Sequence, residues 1–332
     1  MIDVIGKKYA FLFQGAGADY QKFLYMLDED QKKILNHYCS IVNKEIKLDL
    51  WNYLYNSLPT KYNKTINDSV AMYTCDYVVY NAFINFNIKP EIFLCYSLGL
   101  VTSMACGKSI SFETGLRIIL GIYEYPEFIV RQGESMAVII GMDCNDVDKI
   151  IEKNSLEHNV EIGSENSQNC VLVSGIKTSV IEVIKIAEAE GAMTVKELDI
   201  PYAYHSHFAL IGIEKFERII EKSEVVDSNI PIMSSYNQHI LQDVSDLKKE
   251  LVKNIYGRMY WKTSVEKVAK MGISNFVDVT LDGALTKMCK SINIDSKFLT
   301  YKKFVNNNLK LKLMDDVKWV EEINESKIIS SL

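Results

Sequence analysis

This sequence has no apolar run long enough to cross a bilayer. Stretches such as Tyr9–Phe13 and Ile92–Cys95 fall far short of the roughly 20 residues that a spanning helix needs. Its first residues, Met1 to Lys8, place a basic pair after the apolar ones and lack a long apolar region with a small-residue cleavage site, so they do not read as an export signal. The expectation is a cytoplasmic protein with no membrane partner. An excess of positive charge is also missing. The formal charge is −6 over 332 residues, whereas a nucleic-acid protein carries a basic domain or stripe, so small molecules or other proteins are the expected partners. The lysine pairs Lys248–Lys249 and Lys302–Lys303 read as solvated surface. Seven cysteines occur without a CxxC or a Cys/His cluster, which points to reduced core thiols rather than disulfides or a zinc site. No bound metal or cofactor is expected.

What is present is an average globular composition, 48% hydrophobic and 24% charged, in a chain long enough for one large core and a smaller one. One segment, residues 134–199, has its own organisation. Ser135–Gly141 reads as a strand, Asn145–Lys153 as a helix, and His158–Gly163 and Cys170–Ser174 as strands. Thr178–Glu190 carries apolar residues at helical spacing, and Met193–Leu198 returns to a strand pattern. The order β-α-β-β-α-β is that of a ferredoxin-like unit. Residues 1–133 and 200–332 alternate strands (Tyr9–Phe13, Ile92–Tyr96, Ile232–Ser235, Asn275–Val279) with helical stretches, which predicts a mostly parallel sheet covered by helices. The fold expected is α/β: a large α/β-hydrolase-like domain with the ferredoxin-like unit inserted, and a binding site in the cleft between them.

Chemistry enters at Ser97. The strand Ile92–Tyr96 runs straight into it, and Leu98–Ala105 then reads as a helix. A nucleophile elbow needs small residues two before and two after the serine, and here those places hold Cys95 and Gly99, a partial match. An activated serine also needs a base. Of the five histidines, His205 and His207 lie just after a strand in the turn-like stretch Pro201–His207, and the pattern by itself leaves either as the partner.

Together with Phe13-Gln14-Gly15-Ala16-Gly17 near the N-terminus, these features resemble the malonyl-CoA:acyl-carrier-protein transacylase family, including the acyltransferase domains of polyketide synthases. Cys95-Tyr96-Ser97-Leu98-Gly99 is similar to the family's G-H-S-L-G, Phe13–Gly17 to its F-P-G-Q-G, and Tyr204-His205-Ser206 to its F-H-S. Ser111–Glu113, Val171–Gly175 and Trp261–Val265 agree as well. The resemblance covers nearly the whole chain. It implies a Ser97 nucleophile, His205 as general base, an oxyanion held by the backbone N–H groups of Ala16 and Leu98, and the backbone carbonyl of Asn254 orienting the histidine. It also implies substrates carried as thioesters on the phosphopantetheine of an acyl carrier protein or on coenzyme A.

Departures from the family pattern bear on the substrate. Ala16 replaces a glutamine but keeps its backbone donor, Tyr96 replaces a histidine, and Leu100 replaces an acidic residue. Ile122 stands where malonyl-specific members carry an arginine that pairs with the malonyl carboxylate. Arg117 matches a structural arginine, and Arg131 is the alternative source of a cation. A carboxylate buried without a cation costs several kcal/mol, so a pocket of Tyr96, Leu100, Ile122 and Tyr204 is expected to suit a neutral acyl chain. In these respects the pattern comes closest to the acyltransferase homologues and acyl hydrolases of trans-acyltransferase polyketide pathways. The expected function is therefore acyl transfer through acyl-Ser97, with hydrolysis of non-malonyl groups ahead of transfer. The alternative is an ordinary malonyl transferase. A third reading, an inactive docking homologue, sits poorly with the retention of both Ser97 and His205.

Overall fold

The structure is a computed structural model that describes residues 7–127 and 133–307. Arg131 and the first six residues lie outside that range.

The larger body contains β1 (Tyr9–Phe13), α1 (Glu29–Ile46), α2 (Leu50–Asn56), α3 (Lys64–Asn85), β2 (Pro90–Cys95), α4 (Gly99–Cys106) and α5 (Phe112–Glu127). The chain then builds β3 (Glu134–Ile140), α6 (Cys144–Lys153), β4 (Val160–Ser167), β5 (Cys170–Ile176), α7 (Lys177–Ala189) and β6 (Thr194–Glu197). It returns to the larger body through α8 (Ile213–Lys222), β7 (Ile232–Met233), β8 (Ile240–Leu241), α9 (Val244–Tyr256), α10 (Trp261–Lys270), β9 (Asn275–Asp278), α11 (Ala284–Cys289) and β10 (Lys297–Thr300).

Six strands form one sheet in the order β10-β9-β1-β2-β7-β8, parallel except for the β8 edge. Every residue of β1 is buried, as its unbroken run Tyr-Ala-Phe-Leu-Phe requires of a strand covered on both faces. Phe11 and Phe13 pack with Tyr80 and Phe93 on one face, while Ala10 and Leu12 join Trp261 and Phe276 on the other. Helix starts are fixed by side chains: Asp28 caps α1 in a capping box with Gln31, and Asn63, Asp143 and Asp243 cap α3, α6 and α9. Each such cap satisfies an amide that the helix itself leaves without a partner.

The second sheet is antiparallel, in the order β4-β5-β3-β6, the arrangement expected of a ferredoxin-like unit. Helices α6 and α7 cover one face through Val147, Ile150, Val180 and Val183. The α/β class read from the sequence is therefore observed, with a parallel sheet and a separate antiparallel one. The other face of the small sheet looks toward the elbow. Backbone bonds tie the two bodies together there: Glu165 N donates to the Met259 carbonyl at 3.0 Å, and Met259 N to the Gly163 carbonyl at 2.9 Å.

Candidate active site

Parallel neighbours deliver their C-terminal ends to the same edge of a sheet, which is where open α/β sheets place their sites. Here β1 and β2 are paired with Phe13 opposite Cys95, so the loop after β1 and the turn after β2 emerge side by side. The first carries Gly15 and Ala16 and the second carries Ser97. Tyr96 N donates to the Phe13 carbonyl at 2.8 Å, which continues the pairing up to the nucleophile.

Ser97 has φ +52°, a conformation uncommon outside glycine. Strained backbone of this kind projects a serine from the top of a sheet at a strand-to-helix elbow. The elbow depends on close approach. A Cβ on Gly99 would lie 2.2 Å from the Phe13 carbonyl oxygen, and one on Gly15 would lie 3.0 Å from the Ser97 Cβ.

Ser97 Oγ is 2.8 Å from His205 Nε2. On its other side, His205 Nδ1 faces the Gly257 carbonyl at 3.3 Å. Because a carbonyl only accepts, the proton sits on Nδ1 and Nε2 keeps its lone pair toward the serine hydroxyl. His205 is buried, also has a positive φ of 60°, and anchors its backbone N–H on the Ile255 carbonyl at 2.8 Å. Burial lowers its pKa to about 4, against a smaller upward push from the Gly257 carbonyl. The imidazole is therefore neutral near pH 7, the form that accepts a proton. His207, which the local pattern left equally eligible, turns outward and pairs with Glu161 at 2.5 Å.

Two expectations require correction. The carbonyl facing His205 belongs to Gly257, not to Asn254. Asn254 sits in the last turn of α9 and instead donates from Nδ2 to the Ser97 carbonyl at 3.0 Å, so it holds the nucleophile's backbone. The α9 helix ends at Tyr256, and its final carbonyls point along the axis past the last turn, which puts the residue after the helix in front of the imidazole. Leu100, expected in the substrate pocket, is instead buried in the main core on α4 and does not line the cavity. Three residues on from Ser97, it lies on the side of the helix that packs into the protein.

The other named positions come together. A cavity of about 500 Å³ is lined by Ala16, Tyr96, Ser97, Leu98, Ile122 and Tyr204, together with His205 and Asn254. Tyr204 donates its hydroxyl to the Ile122 carbonyl at 2.9 Å, and Tyr96 donates to Asn166 Oδ1 at 2.9 Å. Arg117 points away, pairing with Glu45 at 3.0 Å on the exposed side of α5. The wall contributed by the small sheet was not foreseen. Met136, Val138 and Ile140 of β3, Leu172 of β5, and Leu198 all face the cavity. Alternation along β3 marks Met136, Val138 and Ile140 as one face, but not which of the two faces meets the larger body.

An elbow serine paired with a buried neutral histidine, beside a glycine loop and under a ferredoxin-like sheet, defines an enzyme of the acyltransferase fold. More particularly, the chain is similar in sequence to malonyl-CoA:acyl-carrier-protein transacylases, and it shares its fold with them and with a polyketide-synthase acyltransferase domain. No family model matches it. It is 22% identical over 291 residues to the malonyl CoA-acyl carrier protein transacylase of Bacillus subtilis, covering 86% of this chain and 90% of that protein. With the enzyme of the same name from Staphylococcus aureus strain MRSA252 it shares 24% over 324 residues, covering 95% and 99%. The transacylase structure from Coxiella burnetii superposes with a TM-score of 0.82 at 19% identity, over 92% of this chain and 98% of that one. A malonyl-transacylase solved in complex with a type II polyketide-synthase acyl-carrier protein gives 0.81 at 20%, over 89% and 96%.

Proposed function

We propose that this enzyme moves acyl groups between thioesters through an ester on Ser97. The observation that carries the reading is the 2.8 Å contact between Ser97 Oγ and the neutral Nε2 of His205. Ser97 Oγ adds to the thioester carbonyl while His205 Nε2 takes its proton, and the backbone N–H groups of Leu98 and Ala16 receive the oxyanion. Collapse of the tetrahedral intermediate expels the thiolate, which takes the proton back from His205 and leaves acyl-Ser97. A second thiol then reverses the sequence. Coenzyme A and the phosphopantetheine of an acyl carrier protein are the thiols this assigns, and the chain itself binds no further cofactor in this scheme.

The relatives' names favour a carrier-protein thiol over water as acceptor, and nothing in them supports hydrolysis. They also favour malonyl as the acyl group. A specific observation favours a neutral group instead: among the described residues lining the cavity, Ile122 and its neighbours are apolar, and Lys287 is the only lysine or arginine. An unpaired malonyl carboxylate would lose its hydration there without a charge-assisted bond in return.

Intact-protein mass spectrometry separates these readings. Acetyl-CoA is expected to load wild-type Ser97 faster than malonyl-CoA, Ser97→Ala to form no adduct from either, and Ile122→Arg to raise malonyl loading relative to acetyl. Preferential malonyl loading by the wild type establishes the malonyl-transferase reading. An adduct that persists in Ser97→Ala removes Ser97 from the mechanism. Free acid released faster than acyl-carrier protein is formed restores hydrolysis.

A further inference from the structure

The cavity has two chemically distinct ends. Toward the end of α5 it is walled by Ile122, Tyr123, Met136, Leu198, Ile200 and Tyr204. Hydrogen bonds tie these wall residues together: Tyr204 to the Ile122 carbonyl, Tyr123 with Ser69 at 2.7 Å, and Leu198 N to the Met136 carbonyl at 2.8 Å. The hydroxyls of Tyr204 and Tyr123 are thus already engaged within the protein. Toward α11 polar groups join the lining, with Asn166, Asn169, Lys287 and Ser291 beside Met288. Lys287 is exposed and its Nζ donates to the carbonyl of Asp282, outside the cavity lining, at 3.1 Å. Lys196, which faces Val138 in the β3–β6 register, is exposed at the sheet edge and does not line the cavity.

A thioester carbonyl at Ser97 has two substituents that leave it in different directions, so each takes one end. The pantetheine arm carries two amides and ends in a phosphate, which suits asparagine amides, a hydroxyl and a lysine. The acyl group is left with the apolar end.

We infer that the end between α5 and the β3–β6 face is a chamber for a neutral aliphatic acyl chain longer than acetyl. Its bounding side chains, Ile122, Leu198 and Ile200, set the length. This rests on the acyl-Ser97 reading above and adds the substrate class. At roughly 30 Å³ per water-sized group, the whole cavity of about 500 Å³ has room for on the order of sixteen such groups shared between acyl chain and pantetheine arm, so an acyl chain of several carbons fits beside the arm.

The test is a loading series measured as acyl-Ser97 by intact mass, using acetyl-, butanoyl-, hexanoyl-, octanoyl-, decanoyl- and malonyl-CoA with the full chain. Loading efficiency is expected to rise about fourfold per methylene buried, to peak near hexanoyl or octanoyl, and to fall at decanoyl. Leu198→Phe and Ile200→Phe, which keep the wall apolar, are expected to move the peak to shorter chains. Lys287→Met is expected to lower loading from every thioester by a similar factor without moving the peak. A series led by acetyl or malonyl overturns the chamber while leaving acyl transfer through Ser97 in place. So does a peak that stays put in both wall variants, or malonyl loading that is lost selectively in Lys287→Met. The absence of an adduct from every thioester overturns the acyl-transfer reading itself.

Discussion

At the scale of the residue, His205 decides the behaviour with pH. Its ordinary pKa near 6.5 falls to about 4 because burial disfavours the imidazolium. Acylation is therefore expected to be flat from pH 8 to about 5 and to fall with a midpoint near 4, read as the pH profile of loading under single-turnover conditions. A midpoint near 6.5 would mean that the imidazole is solvated. The linkage runs the same way for stability. The unfolded chain binds a proton at this position between pH 6.5 and 4 while the folded chain does not, so stability is lost as pH is lowered from 6.5 to about 4. Replacing His205 with alanine is expected to slow acylation by a factor on the order of 10² to 10⁴. The same change at His207, whose ring is committed to Glu161, is expected to have much less effect. Equal losses at the two positions would sink the assignment.

At the scale of the element, the site is an agreement between two strand ends. The loop after β1 and the turn after β2 touch because Gly99 has no Cβ, and the carbonyls of Phe13 and Gln14 occupy the space one would need, at 2.2 and 2.8 Å. Backbone cannot yield as a flexible side chain can. Gly99→Ala is thus expected to destabilise the fold by about 1–3 kcal/mol, the usual cost of overpacking, and to slow Ser97 acylation by displacing the Ala16 loop. Chemical denaturation and loading rates check both effects. Full activity in a stable variant would show that the loop does not need this contact. Behind the loop, Gln14 donates to Tyr20 and Tyr20 to Asp76, both at 2.5 Å. Burial pushes the Asp76 pKa well above the ordinary carboxyl range, and its Oδ1 accepts the Tyr20 hydroxyl.

At the scale of the whole molecule, the two bodies meet through β4 and the segment after α9, the same segment whose Gly257 carbonyl faces His205. The Glu165 and Met259 amides cross that seam at 3.0 and 2.9 Å, and Lys262 pairs with Glu165 at 3.0 Å. Orientation of the base is thereby coupled to the docking of the small sheet. In hydrogen exchange these two amides are expected to be protected to the same degree as those of β1 and β5, because opening them requires separating the bodies. Exchange at the rate of surface loops would show that the small sheet moves independently of the catalytic histidine.

Much of this was legible in the sequence, for identifiable reasons. Unbroken apolar runs specify buried parallel strands, and alternation with helical spacing specifies the β-α-β-β-α-β unit, because each period is set by local geometry. Ser97 was legible since a strand, a serine, a small residue and a helix can join only through a tight turn. Other features were decided by tertiary structure. The choice of Gly257 over Asn254 as the carbonyl facing His205, and the withdrawal of Leu100 into the core, depend on where α9 ends and how α4 is rotated. Both are fixed by packing against elements distant in the chain. The apolar wall of Met136, Val138 and Leu198 depends on which face of the small sheet meets the larger body. A period of two residues sorts side chains into two faces, and only the docking of that sheet onto the larger body selects the one that lines the cavity.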